Sequence, residues 1–329
     1  MTHSSRRRRR RMRTMARRKP VGRRINGWLV IDKAPSMTST QVVAVVKRLT
    51  QAQKVGHGGT LDPLATGVLP IAMGEATKTV AYVMDSRKSY EFTLRFGEAR
   101  DTDDSTGAVI AESDDRPSAA MIEAALPHFI GLIQQVPPQY AAVKVQGERA
   151  YDIARRGETV ELAPREIRID ELEMTARPDA DHAEFRMCSG KGAYVRSIAR
   201  DLGQMLGCYA HVTALRRTEV GAFRAEDAIS LDVLARIVED DALLQVLVPV
   251  STALAGIPAL AVTEPQALRL RAGQPVYIPP ALVGDGVGDP ATVRAVRAGE
   301  LIALARLEGM ELSPMRVFQT DPMPTGNRE

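Results

Sequence analysis

GHGGTLDPLATG, residues 56–67, places four glycines, one histidine, one aspartate and one proline in twelve residues, with no apolar period. Glycine tolerates positive φ and lets another backbone come close, so the stretch reads as a loop shaped around a ligand. Pro63 restricts the residue before it to extended backbone. That presents the Asp62 carboxylate outward, between apolar Leu61 and Leu64. The plain alternative is a surface loop with a solvated aspartate, and the pattern alone leaves both open.

Regular elements are expected on either side. Upstream, GWLVIDK (Gly27–Lys33) reads as a short buried strand. TSTQVVAVVKRL follows with Val42, Val45, Val46 and Leu49 at helical spacing, and Thr38 or Ser39 suits the N-cap. Downstream, residues 68–73 read as a strand and 76–87 as a helix. KSYEFTLRF (Lys88–Phe96) alternates: Tyr90, Phe92, Leu94 and Phe96 share one face, and Ser89, Glu91, Thr93 and Arg95 the other. We expect a helix over 118–129, strands near 167–174 and 183–187, and helical segments across 227–246. AYVRSIARDLGQMLG (193–207) is an amphipathic helix with a stripe of Val195, Ile198, Ala199, Leu202, Met205 and Leu206. From about residue 250 the texture changes to short β-like pieces between Gly and Pro, which marks a small all-β C-terminal domain.

Bulk properties narrow the function. The 329 residues are enough for more than one domain. Aromatic residues make up only 4%, so aliphatic side chains must build most of the core. Two cysteines, Cys188 and Cys208, form no CxxC pair, which fits a reducing, cytoplasmic setting. Residues 1–24 hold eleven arginines, one lysine and no acid; of the net +4 they contribute +12, leaving the rest at −8. Such a block is expected to be a disordered arm. It either adds non-specific affinity for phosphates or is simply solvated, lying upstream of an alternative start at Met12 or Met15. No run of about 18 apolar residues marks a membrane span.

Several chemistries are excluded. HGGT is similar to the oxyanion loop of esterases, but the chain has no G-x-S-x-G elbow. SGKG (189–192) fails as a nucleotide phosphate loop because the flanking Gly and Ser/Thr are missing. Five scattered histidines give no metal-ligand spacing, and no G-x-G-x-x-G follows a strand. What remains is an enzyme working with side chains alone, or a binding module. A second constellation lies in SGKGAYVRSIARDLG, where glycines precede a helix carrying Tyr194 and Arg196 in its first turn. Backbone donors there suit an anion, and Arg196 can hold a carboxylate ionised. Alternatively, Arg196 and Arg200 decorate a solvent face, and Tyr90 is simply core.

Taken together, the motifs carry a resemblance. GHGGTLDPLATGVLPIAMGEATK resembles the motif of TruB-type tRNA pseudouridine synthases, GHxGxLDPxATGxLP. KSYEF, QVPPQYAAVKVQGERAYDIARRG, GKGAYVRSIARDLG and AHVTALRRTEVG match later motifs of that family in order, and the resemblance covers about residues 25–320. It implies an α+β catalytic domain with a mixed, largely antiparallel sheet over 25–250 and a PUA-like RNA-binding domain over 251–320, with 321–329 as a tail. It also implies isomerisation of uridine 55 in the tRNA T-loop, with no redox cofactor, ATP or metal. The partner would be the T-arm of tRNA, with no guide RNA and no membrane, and the enzyme a monomer.

Residue by residue, the resemblance places the nucleophile on Asp62 and its orienting partner on Arg196. Tyr90 matches the tyrosine that packs on the target base and assists proton removal at C5. His57 matches the histidine that stacks in the bent T-loop, and Tyr194 and Leu215 match further pocket positions. Attack at C1′ and attack at C6 both stay open. The first motif departs from the family's DKPxGxxS: DKAPSMTS keeps Lys33 as a supporting residue, but has Ala34 for Pro and Ser36 for Gly. Gly58 stands where many members have Thr. The competing readings are a non-catalytic tRNA-binding or folding module and the guide-RNA-dependent relative of the superfamily.

Overall fold

GWLVIDK forms β1 (Gly27–Lys33), buried along almost its whole length, as a short apolar run inside a sheet should be. In this computed structural model the described residues are 22–319 apart from 142, 146, 157, 159, 284–286 and 289. Most of the Arg-rich arm and the tail from 320 onward thus lie outside the described residues. After β1 come α1 (Ser39–Thr50), β2 (Val55–His57), β3 (Thr66–Met73), α2 (Val80–Asp85), β4 (Lys88–Phe96) and a hairpin of β5 (Glu98–Arg100) and β6 (Val109–Glu112). Then follow α3 (Ala119–Ala125), β7 (Gly131–Gln135), a small hairpin of β8 (Lys144–Val145) and β9 (Glu148–Arg149), and α4 (Ala150–Arg155). The main part closes with β10 (Arg165–Ala176), β11 (His182–Ser189), α5 (Val195–Met205), β12 (Ala210–Val220), β13 (Phe223–Arg224) and α6 (Leu231–Glu239).

The main sheet runs β1-β3-β12-β4-β11-β10-β7, with β2 added to β3 and β13 to β12. Its neighbours are antiparallel except β12 and β3, which is the mixed, largely antiparallel α+β arrangement expected. In β4 every second residue from Lys88 to Phe96 is buried, and Phe92 stacks on Phe185 of β11 at 5.3 Å. Thr38 caps α1 in a capping box with Gln41, satisfying N–H groups the first turn leaves open. One correction concerns α5. Val195, Ile198, Ala199 and Leu202 are buried, but Met205 is 52% exposed, because the helix ends there. Arg196, by contrast, is buried.

Residues 76–87 divide into a 3₁₀ turn (Gly74–Thr79) and α2. The C-terminal part is a five-stranded sheet in the order β14-β16-β17-β18-β15. Its strands are β14 (Ala259–Ala261), β15 (Val276–Tyr277), β16 (Ala291–Arg297), β17 (Glu300–Glu308) and β18 (Glu311–Val317). A helix, α7 (Glu264–Arg271), packs against it through Ala267 and Leu270. One buried cluster ties the two sheets together: Trp28, Val30, Val68, Val83 and Phe223 meet Leu301, Leu304 and Phe318. Among the described residues no helix is long and apolar enough to cross a membrane.

Candidate active site

The loop after β1 and the loop that carries Asp62 are laced together. Lys33, at the end of β1, is 1% exposed. Its Nζ donates to the carbonyls of Ala34 (2.9 Å), Met37 (2.8 Å) and Pro63 (3.2 Å). The Ser36 N–H donates to Pro63 O at 2.9 Å. Ser39 Oγ accepts from Leu61 N–H at 2.8 Å and donates back to Leu61 O at 3.2 Å. Lys33, Ser36 and Ser39 each bond a neighbour of Asp62, Leu61 or Pro63, so the first motif fixes the second. Ser36 does so at φ +65°, a left-handed conformation that glycine adopts without strain and serine does not.

A cavity of about 440 Å³ opens above this loop, lined by Asp62, Tyr90, Tyr194, Arg196, Leu215 and Arg217, among others. β4 supplies Tyr90, β12 supplies Leu215 and Arg217, and the start of α5 supplies Arg196. Arg196 grips Asp62 with two bonds, Nε to Oδ2 at 2.8 Å and Nη2 to Oδ1 at 3.0 Å. Its remaining donors reach Thr102 O at 3.1 Å and Tyr140 O at 3.0 Å. The guanidinium is 4% exposed while the Asp62 carboxylate is 31% exposed. A planar fork held at four acceptors orients one carboxylate and leaves that carboxylate facing the cavity. Asp104 adds a second negative charge, 3.9 Å from Arg196 Nε.

Arg217 is a residue that sequence reasoning missed. It is 2% exposed, and the Asp62 loop wraps around it. Its Nε donates to Val68 O (2.9 Å), Nη1 to Thr60 O (3.3 Å) and Nη2 to Gly59 O (3.1 Å). This changes the reading of the glycines. Gly67 lies at φ +93° beside the Arg217 backbone, where a Cβ would come within 2.2 Å of Arg217 O. A Cβ on Gly58 would sit 2.7 Å from Val83 and 3.3 Å from Trp28. Protein packing demands both, where the sequence had pointed to a ligand. The only local signal for Arg217 is its place one residue after Arg216 in a strand where Leu215 and Arg217 share a face.

Burial sets the electrostatics. It lowers Lys33 to about 8, against the pull of the Asp62 charge, and lowers Lys88 to about 8, aided by Arg217. Burial pushes the Tyr90 phenol up, although Arg217 bonds to it and opposes the shift. The Tyr194 phenol is also pushed up, first by burial and then by Asp62. Lys88 donates to Met84 O at 2.6 Å and so closes the end of α2 at the cavity rim. His57, at the end of β2, is not brought into the cavity lining; its Nδ1 accepts from Gly59 N–H at 3.4 Å. Lys33 likewise acts from beneath the loop. Among the described residues no three His, Cys, Asp or Glu side chains come together to hold a metal ion.

With this geometry in view, comparison with known proteins finds two adjoining family matches. Residues 47–195 match the N-terminal domain of the TruB family of pseudouridylate synthases, and residues 196–255 match the C-terminal domain of tRNA pseudouridylate synthase B. The chain is 53% identical over 301 residues to tRNA pseudouridine synthase B of Rhodopseudomonas palustris, covering 90% of this chain and 81% of that one. It is 55% identical over 309 residues to the protein of the same name from Gluconacetobacter diazotrophicus, covering 92% and 100%. In fold it is similar to a chain of the archaeal box H/ACA sRNP Nop10–Cbf5 complex, with a TM-score of 0.69 and 23% identity, covering 89% of this chain and 86% of that one.

Proposed function

Since the chain belongs to the TruB family of pseudouridylate synthases and is a tRNA pseudouridine synthase by that membership, we propose that it acts on uridine 55 of the T-loop with Asp62 as nucleophile. The observation that carries the proposal is the doubly hydrogen-bonded Asp62–Arg196 pair at a cavity wall, with about a third of its carboxylate open to the space a base would fill. Uridine and pseudouridine are isomers. The C1′–N1 bond breaks, the base turns, a C1′–C5 bond forms, the C5 proton leaves and N1 gains one. No group has to be supplied from outside.

The residues share the work as follows. A stacked T-loop base must leave its stack to reach Asp62, and the cavity between Tyr90, Tyr194 and Leu215 receives it. Arg196 keeps the Asp62 carboxylate aimed, which is what an attacking group needs. Lys33 and Arg217 hold the loop from below. Burial raises the Tyr90 phenol while its bond to Arg217 opposes the shift. Tyr90 packs on the base, and assisting proton removal at C5 is its second proposed role. His57 lies outside the lining, and its proposed place is the bent loop around the flipped nucleotide.

The test is pseudouridine mapping on unmodified tRNA with wild type and Asp62→Asn. We expect product at the T-loop uridine with wild type, and a loss of at least about 10³-fold in the variant, with tRNA binding retained. Equal product from both would remove Asp62 from the chemistry.

A further inference from the structure

Arg217 poses a problem that holding the loop does not solve. It is 2% exposed, and a buried guanidinium is costly unless an anion answers it. It donates to the carbonyls of Gly59, Thr60 and Val68. Carbonyls satisfy donors but leave the charge uncancelled. Among the described residues Arg217 makes no ion pair, unlike Arg196 with Asp62 and Arg216 with Asp32. Asp62 acts on it only through space, since both Asp62 oxygens are bonded to Arg196. The Arg217 charge also weighs on Lys33 and Lys88, so the surroundings do not cancel it. Elsewhere the fold leaves spare cations in water. A cleft of about 460 Å³ at the junction of the two sheets, beside Gly74 at the far end of β3, holds exposed Arg23, Arg24 and Lys54.

What faces Arg217 is Tyr90. The two stand directly opposite each other where β12 pairs with β4, as cross-strand neighbours within side-chain reach. Both are buried, and both line the Asp62 cavity. The guanidinium bonds to the phenol. Arginine has donors and no acceptor, so the Tyr90 oxygen accepts. The phenol's own proton is then free to point at another group. An oxygen bonded to a cation also bears a negative charge more easily. A phenol is protonated at neutral pH, and burial favours that form further, so Tyr90 enters the reaction with its proton on.

Resting on the pseudouridine reading above and on the role at C5 proposed there for Tyr90, we infer that Arg217 is a positioning residue for the proton shift that completes the reaction: its unanswered charge holds the Tyr90 oxygen while that oxygen is negative. Once the C1′–C5 bond has formed, the base has one proton too many on C5 and one too few on N1. Both atoms are bonded to C6, so a single oxygen can serve both. Tyr90 gives its proton to the lone pair of N1, and the O–H electron pair stays on the phenolate beside Arg217. The phenolate then takes the proton from C5. The C5–H pair becomes the C5=C6 bond, and the pair of the C6=N1 double bond settles on N1. Phenol and guanidinium end as they began, and no outside acid or base takes part.

The test is single-turnover pseudouridine formation by the full chain on unmodified tRNA with hydrogen or deuterium at C5 of its uridines. Wild type, Arg217→Met and Arg217→Lys are compared. We expect Arg217→Met to lower the rate about 10²-fold with tRNA affinity unchanged. It should also convert deuterated tRNA more slowly than ordinary tRNA, because breaking the C5–H bond has become the slow step. Arg217→Lys keeps a cation and should lose only about 10-fold, with the same isotope dependence; it carries the test if the methionine variant does not fold. In a Tyr90→Phe background, which removes the oxygen, neither substitution should cost more than about 2-fold further. A slow variant without a deuterium effect, or an equal loss with and without the Tyr90 oxygen, would mean that Arg217 only holds the Asp62 loop, and would overturn the inference. An unchanged rate would do the same. Wild type that makes no product would instead sink the pseudouridine reading, so the two failures are told apart.

Discussion

The two ends of β3 handle positive charge in opposite ways. At the Asp62 end, Arg196, Arg217 and Lys33 are buried, and their donors reach the Asp62 carboxylate or carbonyls around the loop. At the junction end, Arg23, Arg24 and Lys54 are exposed, and among the described residues only Arg23 has an ion pair, with Asp241 at 3.8 Å. Burying a cation is costly unless its donors are satisfied, so the first arrangement makes sense only where geometry matters more than attraction. The second costs nothing to build and attracts any polyanion at long range. One end fixes the geometry around a carboxylate; the other leaves its cations open to solvent.

The largest test of this contrast is to swap arginine for lysine at both ends. Arg196→Lys replaces a planar fork on four acceptors with a single ammonium, which cannot reach both Asp62 oxygens in the same plane. We expect kcat for pseudouridine formation to fall about 10²-fold, near 2.7 kcal/mol, with tRNA affinity within a factor of a few. Arg24→Lys keeps the charge and should change neither constant. Similar effects from the two swaps, measured by single-turnover kinetics, would break the distinction.

Much of this could be read from local pattern, and what could not has a physical reason. The alternation of β4, the cap at Thr38 and the helix after Tyr194 follow from period and turn chemistry, which neighbouring residues determine. The burial of Arg196 and Arg217 does not, because it depends on partners such as Asp62, Tyr140 and Val68 that are distant in sequence. Gly58 and Gly67 mislead for the same reason: composition shows that a Cβ is absent but not which atom excludes it. The docking of Leu301, Leu304 and Phe318 onto Trp28 and Phe223 is likewise invisible to any local window. The family's ordered motifs supplied what periodicity lacked, and they pointed to five of the residues that line the cavity.

The buried lysines give a smaller effect, with a definite sign. Lys33 and Lys88 have folded values of about 8, below the ordinary 10.5. Below pH 8 both are charged whether folded or unfolded, and the folded state bears the full cost of burying them. As pH rises above 8 the folded form sheds its protons before the unfolded form does, so stability increases. The Cys208 thiol, pushed up by burial from 9.0, opposes this only above pH 9. Between pH 8 and 9 we therefore expect unfolding free energy in urea to climb by about 1 kcal/mol per lysine. A flat or falling profile would mean that these lysines are better solvated than their burial implies, and the contrast between the two ends would weaken.

The smallest effect concerns the one feature both ends share. α1 begins just after Ser36, beside the Asp62 loop, and its C-cap, Gln51, lies beside the junction cleft. Both are non-glycine residues at positive φ, +65° and +54°. Each holds a backbone contact there: Ser36 N–H to Pro63 O, and Gln51 O from Arg23 N–H. A left-handed residue costs roughly 1–2 kcal/mol, and glycine would relieve that while adding freedom to the unfolded chain worth about 0.4–1 kcal/mol. Ser36→Gly and Gln51→Gly should therefore each stabilise the protein by about 0.5 kcal/mol, read from the urea midpoint. Neither residue lines the Asp62 cavity or the junction cleft, so KM should stay unchanged in both. If Ser36→Gly instead lowers kcat while Gln51→Gly does not, the strain at the Asp62 end is part of aiming the carboxylate, and the difference between the two ends extends to their backbones.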